Sequence, residues 1–169
     1  MLVLSIAFAT ALHAQETIIW SETDPRCSHR YLDKGLLFHS TAQKHLTVSV
    51  ALSDTNGHYQ LSVIVENERS VSMDILVENI AIWSAADRTA KTIHPLPLSK
   101  VEPKLPSDFN IAYTKWLRGI ALASSTIEAH NGVAGMVFFP RENKKRNNVV
   151  VYVPIGGDTF EFEMSPQFQ

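Results

Sequence analysis

Hydrophobic and polar positions alternate with a period of two along much of this chain. In HLTVSVAL, residues 45–52, Leu46, Val48, Val50 and Leu52 fall on one side and Thr47, Ser49 and Ala51 on the other, the pattern of a half-buried strand. Tyr59, Leu61, Val63 and Val65 repeat that phase in HYQLSVIV. Between the two runs stands SDTNG, whose Asn56-Gly57 tolerates the positive φ of a tight hairpin, so two antiparallel strands are expected. A third run, DILVENIAIWS, holds Leu76, Ile80 and Ile82 in phase but breaks around Glu78 and Asn79, which predicts a strand with a bulge or irregular pairing. GVAGMVFFP, NNVVVYVP and DTFEFEM predict three further strands. In the last of them, Phe160, Phe162 and Met164 should enter the core while Glu161 and Glu163 face water.

Two segments break this period. HPLPLSKVEPKLP carries Pro95, Pro97, Pro103 and Pro106, which forbid an interior strand or helix and predict an extended connection along an edge. SDFNIAYTKWLRGI follows, with Ser107 as N-cap candidate, Asp108 in the first turn, and Lys115 and Arg118 toward the C-terminal end, where the helix dipole favours cations. Phe109, Tyr113, Trp116 and Ile120 lie along one face and are expected to pack down onto the sheets. The last two long strands are joined by Ile155-Gly156-Gly157-Asp158. A loop that cradles phosphate leads into a helix whose amides point at the anion, whereas here a strand follows, so the glycines are read as a tight turn.

At 169 residues with 45% hydrophobic and 19% charged positions, the chain has the size and composition of one folded domain. The formal net charge of −2 provides no global field toward nucleic acid, which is excluded as an expected partner. Leu2 to Leu12 form an apolar run too short to span a bilayer, followed by Ala14-Gln15, so residues 1–14 are read as a signal peptide and no transmembrane segment is expected in the mature chain. Residues 15–44, with short apolar pieces at Ile18–Trp20 and Leu36–Phe38 and a turn signal at Asp24-Pro25, are read as a lead-in segment with short strands, and residues 45–165 as the sandwich domain. The single cysteine, Cys27, cannot form an internal disulfide. Together these features predict an exported protein, periplasmic or extracellular.

Candidate chemistry is sparse. The histidines form no His-x-x-x-His pair and no cluster with cysteine, so no metal site is expected; His45 and His58 would meet as near neighbours across the first hairpin, without a third ligand. No Gly-x-Ser-x-Gly is present, and no catalytic residue or cofactor is assigned. An enzyme would need residues brought together from distant segments around the helix ends, such as His94, Asp108 and His130. The one concentrated charge feature is RENKKRNN, where Arg141, Lys144, Lys145 and Arg146 occupy what should be a hairpin tip. The tip is either a solvated loop that keeps sheet ends apart or a contact for an acidic partner, such as a protein or an anionic envelope component.

The C-terminal half, through SSTIEAHNGVAGMVFFPRENKKRNNVVVYVPIGGDTFEFEM, resembles exported bacterial proteins with an immunoglobulin-like β-sandwich, of the DUF4352-like pattern. The matching positions are Thr126-Ile127, Gly135 to Arg141 and Val153 to Phe162, and the chain departs from the pattern at Ala129-His130-Asn131-Gly132, where Pro-Gly is usual. The resemblance implies the fold and no activity, because that group supplies no catalytic residues to carry over. The expectation is therefore a mainly β chain, an immunoglobulin-like antiparallel β-sandwich with one inserted α-helix before the last three strands. Its expected role is that of an exported, non-enzymatic interaction or accessory domain that contacts partners through loops or a strand edge.

Overall fold

The computed structural model describes residues 19–20, 29–33, 35–55, 57–86, 91–102, 108–141 and 148–168. The expected signal peptide, Cys27, Asn56, Ser107 and the tip residues Lys144, Lys145 and Arg146 lie outside these described residues. In chain order the strands are β1 (Ile19–Trp20), β2 (His29–Asp33), β3 (Leu36–Gln43), β4 (Leu46–Asp54), β5 (His58–Asn67), β6 (Met73–Ile75) and β7 (Ala81–Ser84). Two helices follow, α1 (Leu98–Val101) and α2 (Asp108–Ile120), and then β8 (Ser125–Ile127), β9 (Asn131–Pro140), β10 (Val149–Ile155), β11 (Asp158–Met164) and β12 (Gln167–Phe168).

These strands make two sheets facing one another, the expected β-sandwich, with every strand pairing antiparallel except β1 with β11 and β12 with β4. One sheet runs β2-β3-β4-β5-β9, with β12 beside β4. The other runs β1-β11-β10-β6-β8, with β7 also on β10. Segment 15–44 supplies β1, β2 and β3, and β3 pairs with β4 from His39↔Val50 to Gln43↔Leu46. The broken third run resolves into β6 and β7 with a 3-10 turn, Val77–Asn79, between them. Both pieces still pair with β10, through Ile75↔Ile155 and through Ala81↔Tyr152 to Ser84↔Val149.

The core lies where the in-phase positions of the two sheets meet. Val48, Val50, Leu52, Leu61, Val63 and Val65 from one sheet are fully buried against Ile75, Ile82, Val151, Val153 and Phe160 from the other. Burial of this kind contributes about 25 cal/mol per Å² of apolar surface and is the main stabilising term of such a fold. The outer faces are covered as well, which corrects two expectations. On β4, Ser49, Ala51 and Ser53 are buried alongside the core-facing residues, and Leu36, Phe38 and Ala51 with Ile64 form a second apolar cluster behind the first sheet. On β11, Glu161 is only 5% exposed rather than in water, on a face where Ala81 and Val150 are also buried. Period-two alternation marks which face of a strand a residue occupies, and the second face is wet only when nothing lies over it.

The proline-rich connection is extended at first and then makes the single turn of α1, a departure from the fully extended course expected. Ile93 exchanges two backbone hydrogen bonds with Ile82, at 3.1 and 2.8 Å, and Leu96 N–H donates to the Phe138 carbonyl at 2.7 Å. The segment therefore joins β7 in one sheet to β9 in the other. After α2 the chain returns to the same edge, where Leu122 N–H donates to Met136 at 2.9 Å. Gly135 permits that approach: a Cβ there would stand 2.7 Å from the Leu122 main chain, inside contact distance.

The aromatic stripe of α2 does not pack down as a unit. Leu117 is its fully buried residue, Tyr113 and Ile120 are half-buried, and Trp116 remains 49% exposed. Successive helical residues are separated by about 100°, so an arc centred on Leu117 leaves its neighbour Trp116 at the rim.

Candidate functional site

The glycine turn belongs to a tightly bonded end of the sandwich. Ile155 pairs with Asp158, and Gly156 and Gly157 between them have φ of 52° and 91°, the two-residue hairpin geometry in which both central residues need positive φ. Gly156 N–H donates to the Asp74 carbonyl at 3.0 Å, and a Cβ on Gly156 would overlap the side chain of Met73. The turn is structural, and the acid after it acts as an anchor. Asp158 accepts from Lys44 Nζ at 2.9 Å and from Arg69 Nη2 at 2.7 Å. Partial burial alone would raise the Asp158 carboxyl, but the Lys44 and Arg69 hydrogen bonds outweigh it and hold the group below the ordinary carboxylate range.

Arg69 also donates from Nε to the Lys44 carbonyl at 2.7 Å, and Glu68 N–H donates to the His45 carbonyl at 3.0 Å. These bonds brace a β3–β4 turn in which two non-glycine residues, Lys44 and His45, have φ of 51° and 61°, a conformation that costs roughly 1–2 kcal/mol per residue. Asn67, 1% exposed, completes the network. Its Nδ2 donates to the carbonyls of Val71, Ile127 and Glu128, and its Oδ1 accepts from Arg69 N–H. Beside it lies an open depression of about 400 Å³ lined by Glu66, Asn67, Glu68, His130, Asn131 and Gly132.

The opposite end carries Arg141, the described member of the basic stretch. That stretch is not the hairpin tip expected: β9 pairs with β5 in one sheet and β10 with β11 in the other, so it connects the two sheets. Its guanidinium lies 3.2 Å from Oδ2 of Asp54, a residue whose side chain is 2% exposed. The contact is an ion pair without hydrogen-bond alignment, and neither Asp54 oxygen has a hydrogen-bond partner among the described residues. Asp54 continues the core phase of Leu46, Val48, Val50 and Leu52, so its carboxylate points inward at the mouth of the sandwich and Arg141 closes over it. Nearby, the His58 ring meets Phe138 edge-on with centroids 5.5 Å apart, and burial holds the imidazole below its ordinary pKa.

His45 and His58 do not meet. The β4–β5 register sets Leu46 opposite Asn67 and Asp54 opposite Tyr59, which puts the two histidines at opposite ends of a hairpin about 30 Å long at ~3.4 Å per residue. His94 and His130 are likewise apart. The connection carrying His94 is bonded at Phe138 while His130 precedes Asn131, about 23 Å away along β9 at ~3.3 Å per residue. Asp108 begins α2. Among the described residues no group of three His, Cys, Asp or Glu is arranged to hold a metal ion, and no helix is long and apolar enough to cross a membrane.

Sequence reasoning passed over Arg69, Asn67 and Asp54. Arg69 and Asn67 sit in NERS, a polar stretch without a motif, and only the register reveals what they reach. Asp54 left a signal, since it interrupts an apolar phase at a core position.

No protein-family model matches the chain, and no curated protein matches it. Among solved structures it is similar to the crystal structure of the yjhA protein from Bacillus subtilis, with 8% sequence identity, a TM-score of 0.47, and coverage of 86% of this chain and 99% of that one.

Proposed function

We propose that this chain is an exported, non-enzymatic interaction domain that contacts protein or envelope components through its surface. The observation that carries the reading is the outward face of α2. Trp116 is 49% and Ile111 64% exposed, Lys115 between them is exposed as well, and the indole is held by stacking on Tyr113 with centroids 5.5 Å apart. Leu117 already supplies the helix with its buried anchor, so folding alone gives no reason to hold a tryptophan ordered in water. Pre-ordered aromatic groups beside cations are the residues that dominate association energies. Export is supported by the short apolar run Leu2 to Leu12 followed by Ala14-Gln15.

The reading is tested by retention on native envelope fractions. Trp116→Ala with Ile111→Ser should leave thermal unfolding close to wild type and lower retention by about tenfold or more, since an interface tryptophan contributes on the order of 2 kcal/mol. Equal retention of both proteins overturns it.

A further inference from the structure

We propose that the first half of β9 is a docking edge for an extended, cationic peptide segment of a partner protein. The inference rests on the interaction-domain reading and names a class of partner for it. β9 is the last strand of its sheet. Its inner side is paired with β5 along its whole length, from Asn131↔Asn67 to Pro140↔His58. On its outer side alternate residues present their main-chain groups, and among the described residues only the second half is covered: Leu122 takes the Met136 carbonyl and Leu96 the Phe138 carbonyl. The edge ends at Pro140, which has no N–H to offer.

The same alternation turns the main-chain groups of Gly132 and Ala134 outward. Gly132 N–H is taken by Asn131 Oδ1 at 2.8 Å. The Gly132 carbonyl and both polar groups of Ala134 have no partner outside the β5 ladder among the described residues. Gly132 and Ala134 are exposed and small, so nothing in their side chains blocks an added strand, the arrangement that recruits extended peptides.

Charge selects which peptide fits. Glu66 stands opposite Gly132 in register, and Glu66 and Glu68 line the depression beside the open edge. The described cations of this end, Lys44 and Arg69, are both committed to Asp158, and among the described residues neither glutamate has an ion-pair partner. Lysine or arginine side chains on a strand laid along Gly132–Ala134 would be brought to Glu66 and Glu68, with His130 at the rim.

The test measures fluorescence anisotropy of the full chain with a labelled Lys-Val-Lys-Val-Lys-Val peptide and its Glu-Val counterpart. The lysine peptide should bind, weaken with salt, and lose about tenfold in affinity in the Glu66→Gln, Glu68→Gln variant, the upper range for two surface ion pairs. Amide exchange at Ala134 should slow on binding. N-methylation of the peptide along its pairing edge should abolish binding, which tests backbone pairing without altering the protein. Equal binding of the two peptides, or binding that leaves Ala134 exchange unchanged, overturns the proposal. So does concentration-dependent self-association that protects Ala134 without peptide, because a second copy would then be the occupant. Retention on envelope fractions without peptide binding removes this inference and leaves the interaction-domain reading in place.

Discussion

Arg69 Nη2 donates to Oδ2 of Asp158 at 2.7 Å, joining positions 89 residues apart in sequence. With Lys44 on the other carboxylate oxygen, this contact ties the β3–β4 turn, the segment after β5 and the β10–β11 turn into one unit. The two sheets are thereby cross-connected at this end by polar bonds, beyond the apolar core they share. A low-exposure carboxylate is tolerable here because two charge-assisted donors compensate its lost hydration.

Asp158→Asn should destabilise the fold by roughly 1–3 kcal/mol at neutral pH, the range for hydrogen bonds to charged groups. The pH dependence has a definite sign. Although partial burial opposes it, the Lys44 and Arg69 hydrogen bonds hold the folded Asp158 carboxyl below the ordinary carboxylate range, so its contribution is complete above about pH 4 and is lost as pH falls through the folded pKa. His58, whose folded pKa lies below 6.5, withdraws stability over a separate and higher window as pH falls below that value. Urea unfolding from pH 7 to pH 2 should therefore show two phases of loss, with the lower one reduced in Asp158→Asn. An unchanged lower phase would show that the Asp158 ion pairs contribute nothing.

Gly157 has a φ of 91° and open space where a Cβ would stand. Gly157→Val thus meets no steric neighbour and isolates the backbone term. It should destabilise by about 1–3 kcal/mol, the strain of a β-branched residue held at positive φ. A thermal unfolding midpoint equal to wild type would mean the turn can change type without loss.

Asp54 is buried at the mouth of the sandwich with Arg141 as its ion-pair partner. Arg141→Met should cost roughly 2–4 kcal/mol, because it strands a desolvated carboxylate, whereas adding Asp54→Leu to it should recover most of the loss. A double-mutant cycle by denaturant unfolding checks this. Purely additive losses would assign Arg141 to solvent rather than to Asp54.

The strands were legible because their apolar positions keep one phase over long runs: Leu46 to Leu52, Tyr59 to Val65, and Phe160 to Met164 all face the common core as their spacing requires. What lies over the second face of a strand leaves no trace in that strand's own period, which is why Glu161 and Ser49 are buried against expectation. Trp116 was misplaced because the arc its spacing suggested is not the buried one: the buried residue of the helix is its neighbour Leu117. The loop ends were least legible. Their organising residues, Arg69 and Asn67, act through partners more than twenty positions away, a relation that register creates and local pattern does not carry. Gly156-Gly157 was readable because the strand that follows it excludes the anion-binding alternative.

The basic stretch at Arg141–Arg146 divides into a structural part and a candidate binding part. Arg141 is engaged by Asp54, so the proposed contact with an acidic envelope component rests on Lys144, Lys145 and Arg146, which lie outside the described residues. Changing those three to Ser should shift stability by no more than about 0.5 kcal/mol, the usual effect of substitutions in a solvated loop, which is how the sequence reads this stretch. Binding to anionic vesicles at low salt should fall, and wild-type binding should weaken as ionic strength rises, because exposed charges are screened over about 8–10 Å near physiological salt. Vesicle co-sedimentation of wild-type and triple-variant protein, measured at low and at physiological salt, separates the outcomes. Equal retention removes the basic stretch from the proposed contact and leaves the face of α2 to account for envelope binding.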